Sequence, residues 1–157
     1  MAHIHDLLMS IPRILNINLK AAMHVGQIVA RSMISKGTGG NIVNVSSQAS
    51  LLAFKTFAAY SVSKAGLDML TKTMALELAS HKIRVNAVNP TVVLTELGKR
   101  AWSDPAKSEV MMNRIPMNKF AEVKDVVNAV IYLLSDKADM ITGSCLPIEG
   151  GFVTAGV

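Results

Sequence analysis

The stretch Gly40-Asn41-Ile42-Val43-Asn44-Val45-Ser46-Ser47 decides the fold of this chain. Its apolar part is short, which indicates a buried strand, and the glycine-rich residues 37–40 before it are typical of a helix end and a turn. After a loop, residues 60–81 have a helical period, with one apolar stripe and two further apolar residues outside it. The stripe is Leu67, Leu70, Met74 and Leu78, and the two others are Met69 and Leu76. A strand followed by such a helix predicts a βαβ unit with a parallel sheet.

The same alternation extends to both sides of this unit. Helical periods predict helices over residues 12–35 and 123–135, and apolar runs predict strands over 83–88 and 144–148. Proline lacks the amide proton of a strand ladder, so Asn89-Pro90 is expected to end the second strand. Residues 91–120 are expected to be rich in loops. The last helix is expected to bury Val126, Val127, Val130, Ile131 and Leu134.

Composition excludes several classes of function. The chain has 157 residues, a net charge of +5 and 4% aromatic residues, and its basic residues are scattered, which disfavours a nucleic-acid-binding surface. No apolar stretch is long enough to span a membrane. Histidine, cysteine and acidic residues show no metal-site spacing, so no metal is expected. Cys145 is the only cysteine, which excludes an intrachain disulfide and favours the reducing cytoplasm.

Ser47, Tyr60 and Lys64 form a pattern suited to the reduction of a carbonyl group. That reaction needs a proton donor beside the carbonyl oxygen, and a lysine one helical turn after a tyrosine favours the phenolate and so makes the phenol a better acid. A serine hydroxyl at the end of the neighbouring strand can bind the same oxygen. An amphipathic helix with an exposed Tyr and Lys is the ordinary alternative explanation of the Tyr60 to Lys64 spacing.

Three segments together resemble the short-chain dehydrogenase/reductase family. They are Gly40 to Ser47, the run Tyr60-Ser61-Val62-Ser63-Lys64-Ala65-Gly66, and the run from Ile83 to Pro90, and the likeness extends from about Ile14 to Phe152. The segment after Asn89-Pro90, with Thr91 where most members have glycine, is most similar to a branch that reduces L-xylulose and α-dicarbonyl compounds with NADPH. The resemblance therefore implies an oxidoreductase with NADP(H) as its cofactor and a small carbonyl or sugar substrate.

The resemblance also implies a role for each site residue. Ser47 would orient the substrate carbonyl, Tyr60 would donate the proton, and Lys64 would assist Tyr60 and hold the nicotinamide ribose together with it. Asn18 would anchor a water molecule in the proton relay, although it could instead satisfy backbone groups in a bent helix. The further cofactor-binding residues would be Pro90, Val93 and Thr95, with the backbone near Val93 on the carboxamide and the Thr95 hydroxyl on the phosphates.

Members of this family begin with a glycine-rich turn that holds the cofactor pyrophosphate. That turn does not occur in this sequence, and the glycines at 37–40 precede a strand rather than follow one. We therefore expect residues 1–157 to form a single incomplete domain, the C-terminal part of a Rossmann-like doubly wound parallel α/β sheet whose N-terminal strands are missing. Met1 to Ser10 matches no element of the family.

Two functions follow as hypotheses. The first is NADPH-dependent carbonyl reduction by Ser47, Tyr60 and Lys64 in the complete protein. The second is a catalytically inactive form that associates with other subunits, since the family is commonly tetrameric and the two long helices, 12–35 and 60–81, carry surplus apolar residues. The enoyl-reductase branch is disfavoured because its step from tyrosine to lysine is longer than the one from Tyr60 to Lys64.

Overall fold

The computed structural model describes residues 11–155 and shows the predicted parallel α/β arrangement. The strands β1 (Gly40–Val45), β2 (Ile83–Pro90) and β3 (Cys145–Ile148) form a parallel sheet in the order β1-β2-β3. Met1 to Ser10 lies outside the described residues. The helices are α1 (Ala21–Lys36), α2 (Ala58–Leu78), α3 (Glu96–Ala101), α4 (Pro105–Met112) and α5 (Val123–Leu134).

The first long helix is continuous but changes its winding. Residues 11–15 are α-helical, Asn16–Lys20 form a π-helical turn, and α1 follows directly. Gly37 ends α1 in a left-handed conformation with φ of 65°, which a residue without a Cβ adopts at little cost. Single π-helical turns inside α-helices often occur at functional sites.

The apolar stripe of α2 packs on the sheet, as the sequence predicts. Leu67 and Met74 are buried, and Leu70 and Leu78 are half-buried against the cluster that contains Ile83 and Val85. A second cluster lies beyond the carboxyl ends of the strands and contains Met111, Ile115, Phe120 and Phe152. The predicted site residues follow the carboxyl ends of β1 and β2, on the side of this second cluster.

The second strand extends to Pro90 and does not end before Asn89-Pro90. Ser46 donates its backbone N–H to the Val88 carbonyl at 2.8 Å on the β1 side, and Thr91 donates to the Ile148 carbonyl at 3.0 Å on the β3 side. Alternate residues of a strand face alternate neighbours, so the nitrogen of Pro90 points to the β1 side, where β1 has already ended. The missing N–H therefore costs no ladder hydrogen bond, which is why this proline is tolerated.

Residues 91–120 contain two helices where the sequence predicted mainly loop. The Thr95 side chain caps α3 by accepting a hydrogen bond from the Gly98 backbone at 3.0 Å. Asp104 caps α4 in the same way through the Ala106 backbone at 3.0 Å, and Pro105 occupies the first turn. Both caps belong to residue types that favour helix starts, so this signal was present in the sequence.

The apolar face predicted for α5 is mostly exposed. Val127, Ile131 and Leu134 are exposed, Val126 and Val130 are half-buried, and only Leu133 of this helix is fully buried.

A side chain of β2 fixes the carboxyl end of α5. Arg84 of β2 donates to the carbonyls of Leu133 at 2.9 Å and Ser135 at 3.0 Å, so the carboxyl end of the helix is fixed to the sheet. The helix packs on β1 and β2, and β1 is an edge strand of the described sheet, so the rest of the apolar face has no strand beside it. Within residues 11–155, no helix has both the length and the apolar character required to cross a bilayer.

Candidate active site

Ser47 lies directly beyond the carboxyl end of β1. It is the cap of a single 3-10 turn, Gln48–Ser50, and its backbone is extended. The Ser47 Oγ accepts a hydrogen bond from the Ala49 backbone N–H at 3.1 Å. Because one lone pair is used in this way, the hydroxyl proton remains available for an acceptor outside the turn.

Tyr60 and Lys64 lie in the first two turns of α2, on the same side of the helix. The Lys64 Nζ is 5.7 Å from the centroid of the Tyr60 ring and donates a hydrogen bond to the Val45 carbonyl at 2.9 Å. Val45 is the last residue of β1, so this bond ties the helix to the strand that leads to Ser47. The neighbouring Ser46 is buried and donates its hydroxyl to the Lys64 carbonyl at 3.2 Å, which is a structural role.

Two features of its surroundings change the pKa of Lys64 in opposite directions. Burial lowers the pKa of Lys64 below its ordinary value, and the carboxylate of Asp68, one helical turn later, opposes that shift. The nearby carboxylate therefore supports the positive charge that the proposed chemistry requires.

One cavity of about 520 Å³ connects several of the predicted residues. Ser47, Tyr60, Val93 and Thr95 all line it, and Trp102 forms part of its wall. Lys64 and Asn18 do not line the cavity. Ser47 and Tyr60 therefore share one cavity, although they come from a strand end and a helix.

Asn18 lies in the π-helical turn, and its Nδ2 donates to the Ser63 Oγ at 3.1 Å. Ser63 is fully buried and donates in turn to the Tyr60 carbonyl at 2.7 Å. Asn18 thus bonds to a side chain of the helix that carries Tyr60.

The three further cofactor candidates follow one another at the end of β2. Pro90 is the last residue of that strand and is buried. Val93 forms an isolated parallel bridge with Ala121, in which the bonds use the carbonyl of Val92 and the N–H of Leu94. The Val93 N–H is not part of that pairing. The hydroxyl of Thr95 accepts the cap bond of α3 and retains its own proton for donation.

Comparison with known proteins places this arrangement in a family. A family profile described as enoyl-(acyl carrier protein) reductase matches residues 7–153. The chain belongs to the short-chain dehydrogenase/reductase family. It is 57% identical over 146 residues to D-erythrulose reductase of Gallus gallus and 59% identical over 140 residues to L-xylulose reductase of Homo sapiens. These alignments cover 93% and 89% of the chain but only 59% and 57% of the two relatives.

Comparison with a solved structure supports the same fold and the same class of enzyme. A gluconate 5-dehydrogenase from Burkholderia cenocepacia J2315, in complex with NADP and tartrate, is 35% identical to the chain with a TM-score of 0.83. The match covers 88% of this chain and 54% of that protein. The fold and the membership in a family of oxidoreductases that the sequence motifs predicted are therefore confirmed.

Two residues of this short-chain dehydrogenase/reductase site were missed in the sequence. Asp68 is buried and accepts a hydrogen bond from the Asn89 Nδ2 at 2.8 Å. The same amide lies 2.8 Å from the Ser50 Oγ and 3.3 Å from the Ser47 carbonyl. A signal was present, because Tyr60, Lys64 and Asp68 recur at four-residue steps along one helix.

The segment around Trp102 both packs and lines the cavity. The Trp102 ring is 5.5 Å from that of Phe120, and the Lys107 Nζ lies 4.5 Å from the Trp102 centroid. Residues 11–155 contain no group of three or more His, Cys, Asp or Glu side chains placed to bind a metal.

Proposed function

We propose that the protein reduces a small carbonyl compound to an alcohol, with L-xylulose or an α-dicarbonyl as substrate and NADPH as the hydride donor. The observation that carries the proposal is that Ser47 and Tyr60 line one cavity while Lys64 lies 5.7 Å from the Tyr60 ring. The names of the relatives support the substrate class, and the NADP held by the gluconate 5-dehydrogenase supports the cofactor.

In the proposed reaction the substrate carbonyl oxygen lies against Ser47 and Tyr60. The nicotinamide, when bound, supplies a hydride to the carbonyl carbon. Tyr60 donates its phenolic proton to the oxygen as negative charge develops there, so the carbonyl becomes an alcohol and the phenolate remains on the enzyme. Lys64 stabilises this phenolate by its positive charge. The hydroxyl of Ser47 accepts a hydrogen bond from the Ala49 N–H and donates its proton to the same substrate oxygen.

The described residues fit the nicotinamide end of such a cofactor. The Gln48 Oε1 and the Thr91 Oγ1 are buried beside the cavity without a hydrogen-bond partner, which is costly unless a bound polar group satisfies them.

The Lys64 ammonium would hold the ribose with Tyr60. Val93 would offer its backbone N–H to the carboxamide, and Thr95 its hydroxyl to the phosphates, beside Pro90 at the end of β2.

Asn18 is proposed as the residue that extends the proton relay from the Tyr60 helix. Its amide is already bonded to Ser63, whose hydroxyl is bonded to the Tyr60 carbonyl. This connection fixes the π-helical turn against α2 and so holds the backbone near Asn18 in one position, as a residue that anchors a water molecule requires.

A second candidate function is association with other subunits, either as a tetramer or as an inactive partner. The observation that favours it is the large exposed apolar surface on the two long helices, where Ile28 is 66%, Met69 60% and Leu76 81% exposed. Single exposed apolar residues are common, but several on adjacent helices are typical of an interface. The reducing cytoplasm is proposed as the location, since Cys145 is the only cysteine.

A chimera tests the enzymatic proposal. The chain would be joined behind the glycine-rich nucleotide-binding segment of human L-xylulose reductase, and oxidation of NADPH and of NADH would be followed with L-xylulose, an α-dicarbonyl and a 2-enoyl thioester. We expect turnover of the carbonyl compounds, preferentially with NADPH. Turnover of the thioester alone would support enoyl reduction and reject the proposal.

A further inference from the structure

Lys107 is one of the residues that line the cavity of Ser47 and Tyr60, and two contacts hold its ammonium in place. The Lys107 Nζ is 4.5 Å from the centroid of the Trp102 ring, and it donates a hydrogen bond to the Ala101 carbonyl at 3.1 Å. Attraction between a cation and an aromatic face favours this placement. Because Trp102 and Ala101 also line the cavity, the positive charge belongs to its wall.

The charge of Lys107 is not compensated by the cavity. Among the lining residues that the structure describes, Lys107 is the only charged one. The two ion pairs found within residues 11–155 are Lys99 with Glu96 and Lys124 with Glu122, so neither involves Lys107. An ammonium has three N–H donors, and the Ala101 carbonyl uses one. Two donors and a full charge are therefore available to a ligand.

The remaining wall is mostly apolar. Phe54, Phe57, Leu97 and Met111 contribute to it, while Ser47 and Tyr60 supply the hydroxyl groups. Lys107 itself is exposed, so its attraction to an anionic group is screened by solvent and is expected to be modest. A ligand with a carbonyl at one end and an anionic group at the other would meet the hydroxyls and the ammonium in the same cavity.

We propose that Lys107 makes this cavity prefer carbonyl compounds that carry a carboxylate, that is, oxo acids, over uncharged carbonyl compounds. This inference rests on the carbonyl reduction proposed for the same site and extends its substrate class beyond the uncharged sugar and dicarbonyl compounds named above. A phosphate group of a nucleotide would satisfy the same ammonium, and the experiment separates the two sources.

The single tryptophan of the chain provides a direct readout of binding. Trp102 is the only tryptophan, so the intrinsic fluorescence of the full chain reports on the cavity wall. The ligands are 4-oxopentanoate, its uncharged counterpart 2,5-hexanedione, in which a methyl group replaces the carboxylate oxygen, and inorganic pyrophosphate. We expect 4-oxopentanoate to bind roughly two- to fivefold more tightly than the diketone, the effect of one partly exposed ion pair, and this preference to shrink at high salt.

Variants connect this preference to Lys107. Lys107→Met should abolish it, and Lys107→Arg should keep it, since the arginine retains the charge and can stack on Trp102. Lys124→Met removes one positive charge from an exposed ion pair outside the cavity and should change nothing. Circular dichroism of each variant checks its folding, and the arginine variant tests the charge if the methionine variant fails to fold.

Several outcomes would overturn the inference. They are equal affinity for the two carbonyl ligands, a preference that survives Lys107→Met, or no change of Trp102 emission with either ligand. Tighter, Lys107-dependent binding of pyrophosphate would assign the charge to a nucleotide instead. Tyr60→Phe should leave the carboxylate preference intact, so a failure of the proposed reaction at Tyr60 and a failure at Lys107 are distinguishable.

Discussion

Asn89 donates a hydrogen bond from its Nδ2 to the Oδ2 of Asp68 at 2.8 Å, and both side chains are buried. Through the same amide, Asn89 also reaches the carbonyl of Ser47 at 3.3 Å. Asp68 in turn supports the positive charge of Lys64. The pair therefore connects the strand-end serine with the helix that carries Tyr60.

Removing the amide should destabilise the fold. Asn89→Ala leaves the buried carboxylate of Asp68 without its donor, and we expect the free energy of unfolding to fall by about 1.5–3 kcal/mol, the range for a hydrogen bond to a charged group. Urea denaturation followed by circular dichroism measures this. The exchange Asp68→Asn with Asn89→Asp restores an amide–carboxylate bond and should recover part of the loss. A loss below about 0.5 kcal/mol in Asn89→Ala would contradict the role assigned to this pair.

Substitution of Tyr60 should separate chemistry from binding. In the chimera described above, Tyr60→Phe removes the proton donor and should reduce kcat by about a hundredfold or more, while cofactor binding stays nearly unchanged. Stopped-flow measurement of the turnover rate and fluorescence titration of NADPH give the two quantities. Normal turnover in this variant would reject the assignment of Tyr60.

Lys64 should contribute both to the chemical step and to cofactor binding. Lys64→Ala removes the charge that stabilises the Tyr60 phenolate as well as the proposed ribose contact, so both kcat and the affinity for NADPH should fall. The control is Lys72→Ala, which removes an exposed lysine from the same helix two turns later. If Lys64→Ala lowered only the affinity, its proposed role in the proton transfer would be wrong.

Some residues of the proposed site can be predicted from a sequence and others cannot. Ser47, Tyr60 and Lys64 could be proposed because their spacing is local: a strand end and one helical turn. The Asp68–Asn89 pair could not be found in the same way, because it joins α2 and β2 and depends on their packing. Its acidic member nevertheless lies on the buried side of α2, where an isolated charge would be unfavourable without a partner.

The errors in the predicted strands and helices have related causes. The extent of β2 depends on which neighbour faces Pro90, which no local pattern reports. The exposure of Val127 and Ile131 depends on how much of the sheet lies beside α5, which the helical period of its own sequence does not report. The two helices within residues 91–120 could have been predicted, because their caps at Thr95 and Asp104 were visible in the sequence.

Association through the two long helices should be sensitive to charge. Met69 and Leu76 are 60% and 81% exposed on α2, and placing a lysine at both positions should split an assembly whose apolar faces pair, because the charges would be buried without partners. Sedimentation velocity or size-exclusion chromatography with light scattering measures the mass. Lys137→Glu, which changes an exposed charge outside the two long helices, is the control. A monomeric wild-type chain across the concentration range would refute the association.

Cys145 should be unreactive at neutral pH. Burial, and secondarily the Asp68 carboxylate, raises the pKa of the thiol to about 11 from its ordinary value of 9.0, and the thiolate is the reactive form. The rate of alkylation by iodoacetamide should therefore rise with a midpoint near pH 11 in the folded protein.

The same shift predicts how stability depends on pH. The raised pKa means that the folded state holds the thiol proton more tightly than the unfolded state. The resulting stabilisation is fully present below pH 9.0 and is lost as pH rises toward about 11. In denaturation experiments across this window, Cys145→Ser should show a shallower loss of stability. An alkylation midpoint near 9.0 in the folded chain would contradict both expectations.

The 157 residues expressed alone should not reduce carbonyl compounds at a measurable rate. Hydride transfer requires the nicotinamide to be held within reaction distance of the substrate, which depends on the binding energy of the whole dinucleotide. Lys64, Val93 and Thr95 would contact its nicotinamide end and a phosphate, but the glycine-rich turn typical of the family is not in this sequence. The test mixes the purified chain with NADPH and L-xylulose and follows cofactor oxidation, with Tyr60→Phe as the blank. Turnover above that blank would show that the described site binds the cofactor well enough by itself.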